Sequence, residues 1–165
     1  MAVLLPGGSG YIGSHTAVEL LNSGKEIVII DNFSNSKAKV LENIKKITGK
    51  DFKFYEMDYR DKEKLDKVFS ENNIEAVLNF AGYKAVGESV KKPLEYYENN
   101  ISGAIVLLET MRKYNVKKCI YGHLHGESIK EAIQGNIKGI DTTLVSADGV
   151  NFKLMKIVGD KREEI

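Results

Sequence analysis

The feature that most constrains the fold is a glycine-rich stretch between a short apolar segment and an amphipathic one. The apolar segment is Ala2–Leu5, the glycines fall in Gly7-Gly8-Ser9-Gly10-Tyr11-Ile12-Gly13, and the amphipathic segment is Tyr11–Ser23. Glycine permits a tight turn and lets the backbone approach another group closely. A helix that begins directly after such a turn presents unpaired N–H groups and the positive end of its dipole. The pattern therefore predicts a strand, an anion-binding loop and a helix.

An acidic residue follows at the end of the next apolar segment. Asp31 comes directly after Glu26–Ile30, 18 residues beyond Gly13. In a dinucleotide-binding fold, an acidic side chain at this position accepts hydrogen bonds from the adenosine ribose and repels a 2′-phosphate. Together with the glycine loop, Asp31 predicts a dinucleotide partner, NAD rather than NADP. The alternative is a glycine-rich turn of another α/β protein in which Asp31 caps a helix.

Up to about residue 121, short apolar segments alternate with longer amphipathic ones. The predicted strands are Ala2–Leu5, Glu26–Ile30, Phe52–Met57, Ala76–Phe80 and Cys119–Tyr121. The predicted helices are Tyr11–Ser23, Lys37–Ile47, Lys62–Glu71 and Pro93–Tyr114. Strands separated by helices of this length pair in parallel, and nearly continuous apolar strands indicate helices on both faces of the sheet. We therefore predict an α/β fold with a three-layer, Rossmann-like parallel sheet.

The pattern changes after about residue 122. The segment 122–165 is punctuated by glycine and contains two short runs, Thr142–Val145 and Phe152–Val158, and one briefly helical stretch, Ser128–Ile133. Short runs of this kind favour antiparallel strands. We expect these strands to extend the sheet, so that residues 1–118 form the nucleotide-binding portion and 119–165 complete the same domain.

Composition excludes several classes of function. The 165 residues include 24 Lys and Arg against 23 Asp and Glu, a net charge of +1. This balance gives no electrostatic attraction to nucleic acid or to an anionic membrane. The single cysteine, Cys119, excludes an internal disulfide and fits a reducing compartment. The apolar run Ala2–Leu5 is too short for a signal peptide or a membrane span. We predict a cytoplasmic protein that binds neither nucleic acid nor membranes.

Four longer segments carry a resemblance to a known family. They are Gly-Tyr-Ile-Gly-Ser-His at 10–15, Asp-Asn-Phe-Ser-Asn-Ser at 31–36, Phe-Ala-Gly-Tyr-Lys-Ala-Val-Gly-Glu-Ser at 80–89 and Lys-Pro-Leu-Glu-Tyr-Tyr-Glu-Asn-Asn at 92–100. Through them, residues 1 to about 118 resemble the N-terminal half of the UDP-glucose 4-epimerases, which are extended short-chain dehydrogenases/reductases. The resemblance implies bound NAD and transient oxidation of the sugar C4 hydroxyl. Pro6 departs from the family, which usually has threonine there, and it removes an N–H near the phosphate loop.

The resemblance also implies which residues bind the cofactor. The glycine loop follows the pyrophosphate, residues 31–36 wrap the adenosine ribose, and two residues near 58 border the adenine. Residues 80–84 and an asparagine of the long helix lie on the nicotinamide side. The implied set is Gly7, Gly10, Tyr11, Ile12, Gly13, Asp31, Asn32, Phe33, Ser34, Asn35, Ser36, Asp58, Tyr59, Phe80, Ala81, Gly82, Lys84 and Asn99.

Each of these residues also has a purely structural interpretation. Taken singly, Lys84 fits a solvated surface lysine, and Asn99 fits a polar position on the exposed face of a helix. Asp58 fits an N-cap of the helix that begins near Lys62.

The residues that the family's catalysis requires are not found in this sequence. That chemistry needs a Tyr-x-x-x-Lys pair, in which the lysine lowers the tyrosine's pKa, and a serine or threonine after the fifth strand. Here the fifth predicted strand continues as Cys119-Ile120-Tyr121-Gly122-His123. Tyr114 and Lys118 have the required spacing but span a helix end and a strand start. The family's uridine-nucleotide-binding part is also absent, so we expect no catalysis.

The segment 113–157 resembles a different family, the calcineurin-like metallophosphoesterases. The resemblance rests on Lys-Cys-Ile-Tyr-Gly-His-Leu-His-Gly at 118–126, Val-Ser-Ala-Asp at 145–148 and Asn-Phe-Lys-Leu at 151–154. It implies that His123 and His125 are metal ligands. That family's other ligands are missing, so we expect at most one weakly bound divalent ion. The alternative is two histidines in a solvated loop.

Two unrelated resemblances in one chain indicate a chimera. We interpret the sequence as an engineered or recombined product joined near residues 112–118. Its first expected function is NAD(H) binding without catalysis. The alternatives are a recombined fold with no ligand, or residual epimerase or metal-dependent phosphoesterase activity. The helix 93–114 belongs to the dimer surface of the epimerase family, which implies a homodimer through this helix.

Overall fold

The computed structural model describes residues 1–121, 130, 134–137 and 139–144. The chain divides into two units, Met1–Lys117 and Lys118–Ile165. The predicted short helix Ser128–Ile133 (apart from residue 130), the run Phe152–Val158 and both candidate metal ligands, His123 and His125, lie outside the described residues.

Four parallel strands form the sheet of the first unit. Side by side they are β3 (Lys53–Glu56), β2 (Glu26–Asp31), β1 (Ala2–Pro6) and β4 (Ile74–Leu78). β1 pairs with β2 along its whole length, and it pairs with β4 on its other side. The chain therefore moves outward from β1 through β2 to β3 and returns to the opposite side of β1. Such a reversal opens a crevice at the carboxyl ends of the two strands that flank it.

Helices alternate with these strands. They are α1 (Tyr11–Asn22), α2 (Lys39–Thr48), α3 (Lys62–Glu71), α4 (Val86–Lys91), α5 (Pro93–Tyr97), a π-helix (Glu98–Ser102) and α6 (Gly103–Lys113). Ala17 and Leu21 of α1, with Ile44 of α2, pack against alternate residues of β1 and β2 such as Leu5 and Ile29. The intervening strand residues are buried as well, and α3 packs against α6. The predicted α/β fold with a Rossmann-like parallel sheet is confirmed.

The second unit contains three short strands among its described residues. β5 (Lys118–Tyr121) pairs in parallel with β7 (Ile140–Leu144), and β6 (Gly135–Ile137) pairs with β7 in antiparallel fashion. Asn136 Oδ1 accepts a hydrogen bond from the Gly139 N–H at 3.0 Å, and Gly139 has a φ of 91°, which suits a turn. The antiparallel pairing predicted for this region is present, while β5 and β7 run parallel.

Some predicted boundaries were wrong. β4 ends at Leu78, although the next segment stays close to β1 because the Phe80 N–H donates to the Pro6 carbonyl at 2.8 Å. The predicted helix 93–114 is divided by the π-helix, and α4 was not predicted. Pro6 is the last residue of β1, and the bond that continues the ladder to β2 comes from the Gly7 N–H at 2.8 Å. None of the helices in the described part of the chain could cross a lipid bilayer.

Candidate functional site

A cavity of about 410 Å³ lies in the first unit, at the carboxyl ends of β1, β2 and β4. All the residues that the sequence suggested for cofactor binding line it, except Phe33 and Asp58. The lining also includes four residues that sequence reasoning missed: Ile30, Met57, Tyr83 and Ala85. Ile30 and Met57 directly precede Asp31 and Asp58. Their position at the carboxyl end of a strand is the sequence signal that could have identified them as lining residues.

The glycine loop brings two stretches of backbone closer than a side chain would allow. Gly7 has a φ of 70°, and a Cβ added there would lie 2.6 Å from the main-chain nitrogen of Ala81. A Cβ at Gly13 would lie 2.7 Å from the Gly7 carbonyl oxygen. Both contacts involve backbone atoms, which a rotamer change cannot relieve. Glycine is therefore required for the loop to pack against the segment after β4 and the first turn of α1.

The N-terminus of α1 opens into the cavity. Gly10 is the N-cap residue, and no side chain caps the helix. The first N–H groups of an α-helix have no partner within the helix. Tyr11, Ile12 and Gly13, the first three residues of α1, line the cavity. With the helix dipole, they form a place for an anion such as a pyrophosphate.

Asp31 ties the glycine loop to the segment that follows β2. Its Oδ2 accepts from the Ser9 N–H at 3.2 Å, and its Oδ1 accepts from the Phe33 N–H at 2.9 Å and from the Ser36 hydroxyl at 3.0 Å. The Ser9 and Ser36 hydroxyls lie 2.8 Å apart. A carboxylate offers about four lone-pair positions, so these three bonds leave about one for a ligand hydroxyl.

Asp58 does not line the cavity, and its carboxylate is held by Arg60. The guanidinium donates to both carboxylate oxygens, from Nε at 2.9 Å and from Nη2 at 2.7 Å, and these bonds lower the pKa of Asp58. The Arg60 main-chain N–H also donates to Asp58, at 2.9 Å. The Asn32 side-chain amide donates to it at 3.2 Å. Asp58 therefore orients Asn32, which does line the cavity. The helix-capping interpretation of Asp58 was wrong, because Asp61 is the N-cap of α3 and accepts from the Lys64 N–H at 3.1 Å.

The other residue outside the lining is Phe33. It has a φ of 54°, and its ring packs against Phe54 with 5.3 Å between the centroids. Its main-chain N–H donates to Asp31, as described above. Phe33 therefore contributes to the site by shaping the turn rather than by facing the cavity.

Tyr59 and Asn99 connect the cavity to the π-helix. Asn99 is 4% exposed, and its Nδ2 donates to the Ala81 carbonyl at 2.8 Å, so the interpretation of Asn99 as an exposed polar residue was wrong. The Tyr59 hydroxyl donates to the main-chain carbonyl of Asn99. Burial raises the pKa of Tyr59 to about 12, so the hydroxyl keeps its proton at neutral pH. Lys84 is exposed at the cavity rim.

Tyr114, the tyrosine of the Tyr-x-x-x-Lys spacing, does not line this cavity. The hydroxyl of Tyr114 donates to the main-chain carbonyl of Asp66 at 3.2 Å, and its ring packs against Phe69. Tyr114 follows α6, whereas Lys118 begins β5. Among the residues that the structure describes, no three His, Cys, Asp or Glu side chains are grouped to hold a metal ion.

The strand order, the glycine loop and the position of Asp31 define a dinucleotide-binding fold of the Rossmann type. Residues 4–125 match the profile of the family described as GDP-mannose 4,6 dehydratase, and the chain belongs to that family. A UDP-glucose 4-epimerase of Bacillus subtilis (strain 168) is 62% identical over 121 residues, which are 73% of this chain and 36% of that protein. The chain thus spans about a third of that relative's length.

Two further similar proteins are also UDP-glucose 4-epimerases. A UDP-glucose 4-epimerase sequence of Klebsiella pneumoniae is 51% identical over 121 residues, covering 73% of this chain and 87% of that sequence. The crystal structure of UDP-glucose 4-epimerase from Bifidobacterium longum, in complex with NAD+ and UDP, superimposes with a TM-score of 0.73 and 51% identity. The match covers 74% of this chain and 36% of that one. The resemblance of the N-terminal segment to the epimerases is confirmed.

Proposed function

We propose that the chain binds NAD(H) in the cavity at the carboxyl ends of β1, β2 and β4. One observation carries this proposal: residues scattered from position 7 to position 99 meet around a single cavity. Its volume, about 410 Å³, lies in the range of small-molecule sites. The Bifidobacterium longum epimerase, similar to this chain at 51% identity, was crystallised with NAD+ and UDP.

The geometry suggests how the dinucleotide lies. The pyrophosphate would meet the N-terminus of α1, and the adenosine ribose would donate to the open position on Asp31. The nicotinamide half would follow residues 80–84 and Asn99. NAD, when bound, supplies a hydride acceptor for oxidation of an alcohol. The protein's own contribution is to orient the cofactor and to keep NADP out through the charge of Asp31.

A titration tests this function. Isothermal titration of the purified chain with NAD+ should give saturable binding, and NADP+ should bind at least about tenfold more weakly, because Asp31 meets the 2′-phosphate. Nucleotide released on denaturation, identified by its absorbance and mass, provides an independent measurement. A folded chain with no affinity for NAD+ tighter than millimolar would refute the proposal.

We further propose that this chain provides the cofactor site of an epimerase without the acid–base pair. Tyr114 and Lys118 have the Tyr-x-x-x-Lys spacing, but the Tyr114 hydroxyl is engaged by Asp66 and does not face the cavity. The chimeric origin, the metallophosphoesterase resemblance and a metal at His123 and His125 remain predictions about residues that lie mostly outside the described ones. The cytoplasmic location also stays a prediction.

We also propose that the chain forms a homodimer through the helical segment 93–113. Exposed apolar side chains recur along one side of α5, the π-helix and α6, at intervals of three or four residues. Their exposures are Leu94 76%, Tyr97 60%, Ile101 52%, Ile105 52% and Leu108 38%. Side chains at this spacing share a helix face, and a large apolar patch of this kind marks an interface. A second copy of the chain is the partner that the epimerase resemblance implies.

Substitution on this face should change the oligomeric state. Replacing both Ile101 and Ile105 by Glu should convert a dimer into a monomer in sedimentation equilibrium, because two carboxylates would have to be buried in the interface. Ile47→Glu is the matched control, since Ile47 is 68% exposed on α2, away from this face. A monomeric parent chain, or a double variant that still dimerises, would contradict the proposal.

A further inference from the structure

The segment between β4 and α4 forms one wall of the cavity without regular secondary structure. We call residues 79–85 the strap. Five of its residues line the cavity besides Phe80: Ala81, Gly82, Tyr83, Lys84 and Ala85. Near its start, the Phe80 N–H donates to the Pro6 carbonyl at 2.8 Å. The Ala81 N–H donates within the strap, to the side chain of Asn79 at 3.0 Å. The position of the strap's middle therefore depends on bonds from elsewhere.

One exposed side chain holds the middle of the strap by both of its polar atoms. Asn100 Oδ1 accepts from the Tyr83 N–H at 2.8 Å, and Asn100 Nδ2 donates to the Tyr83 carbonyl at 2.9 Å. The neighbouring Asn99 donates to Asn100 Oδ1 at 3.0 Å as well as to the Ala81 carbonyl. Both asparagines belong to the π-helix. The side chain of Asn100 thus pairs with one strap residue as a neighbouring strand would.

Asn100 itself does not line the cavity. Lys84 does line it, and Lys84 directly follows Tyr83, whose main chain Asn100 holds. Lys84 forms no ion pair with any residue that the structure describes. Its exposed side chain lies at the cavity rim. The main chain of Tyr83 determines the direction in which Lys84 leaves the strap. Fixing Tyr83 by two bonds fixes the wall that would face the nicotinamide half.

We infer that Asn100 is a positioning residue for the nicotinamide half of the bound dinucleotide. The inference rests on the proposed NAD site and extends it to a residue outside the cavity. Asn100 acts through the main chain of Tyr83 and leaves the adenosine half, held by Asp31 and Asn32, unchanged. Its removal should therefore weaken ligands that reach the strap and spare ligands that do not.

The test compares a whole dinucleotide with its adenosine half. In isothermal titration, Asn100→Ala should bind NAD+ about tenfold more weakly, which corresponds to about 1.4 kcal/mol, because two hydrogen bonds no longer order the strap. ADP should bind within about twofold of the parent chain, since it ends at the pyrophosphate. Asn22→Ala, an exposed asparagine at the end of α1, is the matched control and should change neither affinity.

A second variant keeps the test valid if the alanine variant folds poorly. Asn100→Asp retains the acceptor for the Tyr83 N–H but places a carboxylate against the Tyr83 carbonyl, so NAD+ should again weaken and ADP should not. Unchanged NAD+ affinity in both variants, or an equal loss for NAD+ and ADP, would overturn the inference. A parent chain that binds ADP and NAD+ equally tightly would also overturn it. A parent chain that binds neither would overturn the proposed function itself.

Discussion

Asp31→Ala should weaken NAD+ binding at least about thirtyfold and should lower the free energy of unfolding by about 2–4 kcal/mol. The binding loss follows from the charged acceptor offered to the adenosine ribose. The loss of stability has a separate cause, because the carboxylate accepts from Ser9, Phe33 and Ser36. Ser9 is only 2% exposed, so its N–H would be left without an acceptor and largely without water.

Two measurements separate these effects. Titration with NAD+ and NADP+ gives the ratio of the two affinities, which should move toward NADP+ because the charge that repels the 2′-phosphate is gone. Urea unfolding gives the change in stability. Asp51→Ala is the matched control: Asp51 is exposed and paired with Lys45, and such surface pairs contribute little to stability. An unchanged ratio of NAD+ to NADP+ affinity would show that Asp31 does not meet the ribose.

The fold and the phosphate end of the site could be predicted because their requirements are local. A loop whose backbone lies this close to other backbone atoms needs glycine, and Gly7 and Gly13 appear in the sequence for that reason. β1 and the middle of β2 are buried on both faces, so these two strands are almost wholly apolar and easy to recognise. Asp31 follows its strand at the place where parallel-sheet topology brings the strand ends together.

The connections across the site could not be predicted in the same way. Tyr59 and Asn99 are 40 positions apart, and nothing in either local sequence indicates that a hydroxyl of one meets a carbonyl of the other. Helical periodicity predicts one long helix with Asn99 on it, but Asn99 lies in a π-helix and is buried. The Asp58 carboxylate accepts from Asn32, 26 positions away, and nothing in the local sequence indicates that contact. Which donor a given carbonyl or carboxylate accepts a hydrogen bond from depends on tertiary contacts.

Gly103 packs directly against the Tyr59 ring. It begins α6, directly after the π-helix. A Cβ added there would overlap Cζ and Oη of the Tyr59 ring and would lie 2.9 Å from its Cε2. Tyr59 is 5% exposed and donates to the Asn99 carbonyl, so the ring cannot move outward without breaking that bond. The absence of a side chain at Gly103 therefore allows Tyr59 to form part of the cavity wall.

Gly103→Ala should destabilise the protein by about 2–3 kcal/mol, although alanine is ordinarily favoured over glycine inside a helix by about 1 kcal/mol. Urea unfolding would measure the change. Gly87→Ala is the matched control, because no atom lies within 4 Å of a Cβ built on Gly87 in α4, and stability there should be unchanged or slightly raised. NAD+ binding should weaken only in the Gly103 variant, since a displaced Tyr59 ring would narrow the cavity.

A double variant identifies the cause of the loss. Tyr59→Leu removes the ring atoms that the new Cβ would overlap, so Gly103→Ala should cost about 1–2 kcal/mol less in that background than in the parent chain. An equal cost in both backgrounds would show that the backbone of α6, rather than the Tyr59 ring, requires glycine at this position. In that case the link between the π-helix and the cavity wall would depend on the Tyr59 hydroxyl bond alone.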